Sequence, residues 1–281
     1  MKTIENQSFD QERAFYESQN LSVSHCKFQG PANGESAFKE SSHITATDCL
    51  FDLRYPFWHD QNVQLKDCEL TEHCRAAFWY SHKIRIENSK LHGIKALREC
   101  SDIGILDSDI RSPEFGWFVH DVHMKNCTTE GEYFMMRSDR LHFENVELNG
   151  KYSFQYVSDS TFENCVFQTK DAFWHAKNVT VKNSVICGEY LAWYAENITF
   201  ENCTIIGTQP LCYCKNLRLI DCEMLDADLS FEKSDVTATL TSPVISIKNP
   251  TSGSITLPYA KEIIMDDPAS RCKISFQESA T

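Results

Sequence analysis

Apolar positions along this chain do not follow a helical rhythm. They alternate over three or four residues, slip by one place, alternate again, and the whole figure returns nineteen residues later. The phrase Glu196-Asn-Ile-Thr-Phe-Glu-Asn-Cys-Thr-Ile205 is matched by Lys177–Ile186 before it and Lys215–Met224 after it. The first core position of each repeat falls at Leu21, Ile44, Val63, Ile84, Ile103, Val122, Leu141, Ser160, Val179, Ile198, Leu217, Val236, Ile255 and Ile274. Two places on the residue is again apolar. Five places on it is small or soft, and seven of those positions are cysteine, from Cys26 to Cys222. The slipped residue just before that column is Asp or Asn: Asp48, Asp67, Asn88, Asp107, Asn126, Asn145, Asn164, Asn183, Asn202 and Asp221. These residues tolerate left-handed backbone, so each repeat predicts two short strands joined by a sharp corner.

The fold class that follows is all-β, a right-handed parallel β-helix of about 12 coils rising roughly 4.8 Å each. The six-residue sub-period of a left-handed helix is absent. One domain, 1–281, is expected. Residues 1–18 read as a short capping helix, with Ser8 as N-cap and Phe9, Ala14, Phe15 and Tyr16 on its apolar face. Regular coils span 19–235 and irregular closing coils 236–281.

A third strand emerges on counting back from each first core residue. All five tryptophans, Trp58, Trp79, Trp117, Trp174 and Trp193, lie five places before it. Strict alternation allows two phases. The favoured one turns the tryptophans inward and exposes the flanking columns. These hold Phe38, Phe57, Phe78, Phe154 and Phe173 six places back, and Glu40, His59, Tyr80, Glu99, Phe118, Arg137, Tyr156, His175, Tyr194 and Tyr213 four places back. The opposite phase buries the phenylalanines and turns the tryptophans out as an indole track with Lys39, Arg98 and Gln155, but it also buries His59, Glu99, Arg137 and His175, which is costly.

Composition narrows the partners. A net charge of -13 argues against nucleic acid and anionic membrane, and no apolar run reaches the roughly 20 residues of a membrane helix. Thirteen cysteines without an apolar leader read as reduced thiols in a cytoplasmic protein.

Several phrases carry a resemblance: Tyr55-Pro-Phe-Trp-His59, Arg75-Ala-Ala-Phe-Trp-Tyr80, Lys170-Asp-Ala-Phe-Trp174, Gly188-Glu-Tyr-Leu-Ala-Trp193 and Gln209-Pro-Leu-Cys-Tyr213. Almost the whole chain, to about residue 255, resembles a bacterial family of pectate-lyase-like right-handed β-helices that has no assigned activity. The resemblance implies the fold and a cytosolic bacterial setting, and no catalytic residues.

The candidate chemistry sits on the aromatic face. A saccharide-like ligand or glycan is the leading expectation, with His59, Tyr80, Phe118, Phe154, Tyr156, Asp171, Phe173, Tyr194 and Tyr213 as contacts. If the protein is a polysaccharide lyase or glycoside hydrolase, Glu99, Arg137 and His175 are the catalytic candidates, with Glu99 and Glu114 as the nearest carboxylate pair. The alternative is a non-catalytic structural or interaction module whose aromatic face buries against a partner or in a homodimer. No metal site or cofactor is expected: the only acids grouped for calcium, Asp226 with Asp228 and Asp266 with Asp267, read as loop acids, and Cys212 and Cys214 lack zinc spacing.

Overall fold

The nineteen-residue phrase folds as one turn of a right-handed parallel β-solenoid, about fourteen turns in all, in a computed structural model that describes residues 2–30 and 32–277. The chain divides into two compact units, Met1–Val146 and Glu147–Thr281. In the first unit, Ser42–Thr47, Gln61–Lys66, His82–Glu87 and Ser101–Leu106 stack as parallel first strands. Ile44 aligns with Val63, Val63 with Ile84 and Ile84 with Ile103, the register read from the repeat. Short second strands such as Glu69–Leu70, Lys90–Leu91 and Asp109–Arg111 form the next side.

Every predicted Asp or Asn corner from Asp48 to Asp221 has φ between 46° and 54°. Their side chains bond from coil to coil. Asn88 Nδ2 donates to Asp67 Oδ1 at 2.6 Å and Asn126 Nδ2 to Asp107 Oδ1 at 2.9 Å; in the second unit Asn202 Nδ2 donates to Asn183 Oδ1 at 2.8 Å. A second row of left-handed corners precedes the first strand, with its own ladder through Asn178, Asn197 and Asn216. The cysteine column is buried and reduced, its thiols donating to backbone carbonyls, as Cys68 Sγ to Lys66 O at 3.2 Å.

Three expectations are corrected. Residues 2–18 form a further coil, not a helix: Lys2–Glu5 and Ser8–Phe9 pair in parallel with the next turn, and Phe9 and Phe15 pack on Phe28. Ile4 and Phe9 stand nineteen residues before Val23 and Phe28, so the period was present, masked by a lysine at the first core position. Near the end, Val236 aligns with Gly253 and Ile255 with Ala238. Gly253 has φ +94°, and a Cβ there would lie 1.9 Å from Val236 O, so no apolar side chain fits at that first core position.

The third correction concerns the third side, which alternates in neither phase. Its strands are only two residues long where they form, Phe57–Trp58, Phe78–Trp79 and Leu97–Arg98 pairing in parallel, with turns elsewhere; two successive residues face inward and the next two outward. Ala77 and Phe78 are buried, Trp79 is half-buried and Tyr80 exposed; Leu191 and Ala192, Trp193, then Tyr194 repeat the order. Left-handed residues eight and four places before the core position, such as Tyr55 and His59, break the pleat that alternation requires. The tryptophans therefore do not fill the interior. Phe154 and Phe173 are fully buried, and Asp171 is buried with its carboxyl pKa raised by burial, so none of the three is a surface contact. Stacked phenylalanines fill this part of the core, Phe57 on Phe78 at 4.8 Å and Phe154 on Phe173 at 4.9 Å.

Candidate ligand-binding site

The third side lays two parallel columns of side chains on the outside of the first unit. The inner column is Lys39, Trp58, Trp79, Arg98 and Trp117. Its layers are in contact throughout. Lys39 Nζ lies 4.7 Å from the Trp58 ring, Trp58 stacks on Trp79 at 6.0 Å, and the Arg98 guanidinium lies 5.6 Å from Trp79 and 5.0 Å from Trp117. A coil without a tryptophan is thus bridged by a flat cation, which the negative ring faces attract.

The outer column is Glu40, His59, Tyr80, Glu99, Phe118 and Arg137. His59 stacks on Tyr80 at 4.9 Å. The next layer is Glu99, and its carboxylate is repelled by ring faces instead of attracted. Register follows from the backbone: Tyr80 N donates to Arg98 O at 3.2 Å and Glu99 N to Trp117 O at 2.9 Å. Tyr80 and Phe118 are therefore two coil steps apart, about 9.6 Å. Tyr80 is 42 % and Phe118 40 % exposed, and among the described residues no ring stacks on Phe118. One layer of the stack is missing.

Around that gap lies a cleft of about 440 Å³ lined by Tyr80, Glu99, Cys100, Ser101, Phe118 and His120. Glu99 Oε1 is 3.4 Å from Trp79 Nε1 and 3.9 Å from Arg98 Nε. His120 Nδ1 is 2.5 Å from Asp139 Oδ2, which leaves Nε2 as its unbonded ring nitrogen and fixes the ring. Cys100 is buried, its thiol donates to Arg98 O at 3.1 Å, and burial pushes its pKa up to about 12, so it is no nucleophile.

The predicted site residues separate accordingly. Tyr80, Glu99 and Phe118 meet in the cleft, His59 backs Tyr80, and Arg137 takes the next position beyond Phe118. Glu114 does not join Glu99. Arg98 stands between them, 3.9 Å from each carboxylate, and Glu114 also takes Lys95 Nζ at 3.3 Å. Ser101 and His120 were missed; they sit two places before the first core residue, in a corner column that invites no attention until the coils are stacked.

Tyr156, His175, Tyr194 and Tyr213 belong to the second unit. They form one continuous stack, with ring centroids 4.8, 5.0 and 4.9 Å apart. Beside it Trp174 lies on Trp193 at 5.5 Å with planes 3° apart, and both indole N–H groups donate to backbone, to Tyr190 O and Gln209 O. The ring faces between successive layers of this stack are occupied.

Among the described residues no three His, Cys, Asp or Glu side chains converge as metal ligands. Asp228 instead accepts from the Thr208 hydroxyl, Asp266 from Asn249 Nδ2 at 2.7 Å and Asp267 from Ala269 N at 2.9 Å.

Comparisons with known proteins add the fold and the family. No curated protein matches the chain. The solved structures that it resembles include PfbA, a surface adhesin of Streptococcus pneumoniae. That match is 9% identical, covers 79% of this chain and 71% of that one, and has a TM-score of 0.40. Another is the A-module of the Azotobacter vinelandii mannuronan C-5 epimerase AlgE6, 11% identical over 97% of this chain and 87% of that one, with a TM-score of 0.35. Similarity of that order carries no argument about activity. Over residues 2–276 the chain matches the family described as Protein of unknown function (DUF3737), and it belongs to that family.

Proposed function

We propose that this protein binds a saccharide, and that the site is the slot between Tyr80 and Phe118. The observation that carries the reading is the missing layer: two exposed aromatic rings two coils apart, with a cleft between them large enough for one ring-sized group. The apolar faces of a pyranose pack on aromatic rings, and cleft polar groups orient its hydroxyls. Glu99, Ser101 and His120 are placed for that role. The thirteen free thiols support a cytoplasmic setting, so the ligand would be an intracellular glycan or a taken-up oligosaccharide.

The test is a glycan screen followed by calorimetry. Tyr80→Ala with Phe118→Ala should weaken the best ligand at least tenfold while circular dichroism stays native. A screen in which nothing binds, or a double variant with wild-type affinity, would overturn the reading.

A second reading has its own observation, in the second unit. Tyr156 and Tyr194 are 41 % and 47 % exposed, yet each has a face closed by His175, and the other face of Tyr194 meets Tyr213. Such a surface suits burial against a second copy better than sugar stacking. Light scattering on the wild type and on Tyr194→Lys decides it: a dimer that the substitution splits supports the interface, and a wild-type monomer removes it.

A further inference from the structure

We infer that the group held between Tyr80 and Phe118 is positively charged, and that the ligand is an amino sugar with a free ammonium. The inference rests on the saccharide reading of the same slot and adds its charge. Three observations lead to it.

The first is the coil that contains the gap. It places Arg98 and Glu99 side by side, one in each column. In the inner column the protein fills a layer that lacks a ring with the Arg98 guanidinium, 5.6 and 5.0 Å from the flanking indoles. At the start of that column the Lys39 ammonium lies 4.7 Å from Trp58. Twice, then, this molecule covers a bare ring face with a cation. In the outer column the layer between Tyr80 and Phe118 holds Glu99 in place of a cation, and Arg137 lies one coil beyond Phe118.

The second is the sign of everything at the slot. Both flanking rings present negative faces, and the side chain at the missing layer is a carboxylate. Glu99 has one cation contact, 3.9 Å from Arg98 Nε, and Arg98 is shared with Glu114. Of the other titratable groups in the lining, His120 is held by Asp139, Cys100 is buried and Tyr80 is one of the two rings. A carboxylate with such long contacts keeps lone pairs for an incoming N–H donor.

The third is the field of the whole chain. A net charge of -13 draws cations toward the surface and repels acidic sugars. A uronate in this slot would face Glu99 and two negative ring faces together.

Calorimetry on the full chain at low salt and mildly acidic pH, with three probes, tests the proposal. These are a tetramer of glucosamine, the same tetramer fully N-acetylated, and N-acetyl-arginine amide. The expected result is that the glucosamine tetramer binds at least tenfold tighter than its acetylated form. Glu99→Gln should abolish that difference by weakening only the charged sugar. Glu99 is exposed and the change is isosteric, so the fold should hold; an unchanged melting temperature verifies it. Equal binding of both tetramers, unaffected by Glu99→Gln, would overturn the charge inference and leave the saccharide reading standing. Binding of arginine amide with neither sugar would overturn the amino sugar and the saccharide reading together. Binding of none of the three, with a neutral glycan bound in the wider screen, would overturn the inference alone.

Discussion

Asp60 Oδ1 accepts a 2.9 Å hydrogen bond from the backbone amide of Ser41, at a position that is serine in the coils before and after. The column continues through Asp60 N, which donates to Ser81 Oγ at 2.9 Å. A serine hydroxyl here also donates to a carbonyl, as Ser81 Oγ does to Phe57 O at 3.2 Å. A carboxylate cannot donate. Asp60 is buried, its Oδ2 has no partner, and burial pushes its pKa up to about 8.

That shift predicts a pH dependence. The folded state keeps the Asp60 proton up to about 8, while the unfolded chain releases it near the ordinary aspartate value of 3.8. Stability from this group is complete below 3.8, declines as the pH rises through that window, and is gone above about 8. Asp60→Asn, which mimics the protonated acid, should raise stability at neutral pH by about 2 to 4 kcal/mol and flatten the curve between these limits. Urea titrations at several pH values measure it; a variant less stable than wild type at neutral pH would contradict the account.

Closing the gap in the outer column should separate stability from binding. Glu99→Tyr supplies the missing ring between Tyr80 and Phe118, and the two new stacked pairs should add about 1 to 2 kcal/mol. Ligand affinity should disappear at the same time, because the added ring fills the slot. Thermal melts and calorimetry on one preparation give both answers. A stabilised variant that still binds would place the ligand elsewhere.

The corner ladder makes a third prediction. Asn126 has φ 54°, donates to Asp107 and accepts from Asn145 Nδ2 at 3.0 Å. Asn126→Ala loses both bonds and strains the left-handed backbone, for about 2 to 3 kcal/mol. Asn126→Gly relieves the strain but not the lost bonds, so chemical denaturation should place it between alanine and wild type.

The cysteines offer a kinetic check on the core. Of the thirteen, Cys187 alone is half-exposed, and burial pushes the thiols of Cys74, Cys100 and Cys214 up to about 12. A thiol reagent should modify Cys187 rapidly in the native protein and the rest only on unfolding. Fast labelling of several native thiols would mean that the column opens readily.

The chain by itself determined the solenoid, its handedness class, the register of the first strands and the Asp/Asn corners. These are encoded by residue type at a fixed period: an apolar residue every second place means a pleated backbone, and Asn before cysteine means a left-handed bend. The same reasoning failed on the third side because Tyr80, Glu99, Phe118 and His175 carry no mark of the left-handed backbone they adopt. Neighbouring coils impose that conformation through their carbonyls, as Trp193 O does on His175 N at 2.9 Å. Only the tertiary structure could therefore decide that Phe154 and Phe173 are core and that Trp79 and Tyr80 both face outward. It also turned Glu99 from one member of a column into part of the lining of a cleft, since an absent ring has meaning only once the rings on either side are set in register.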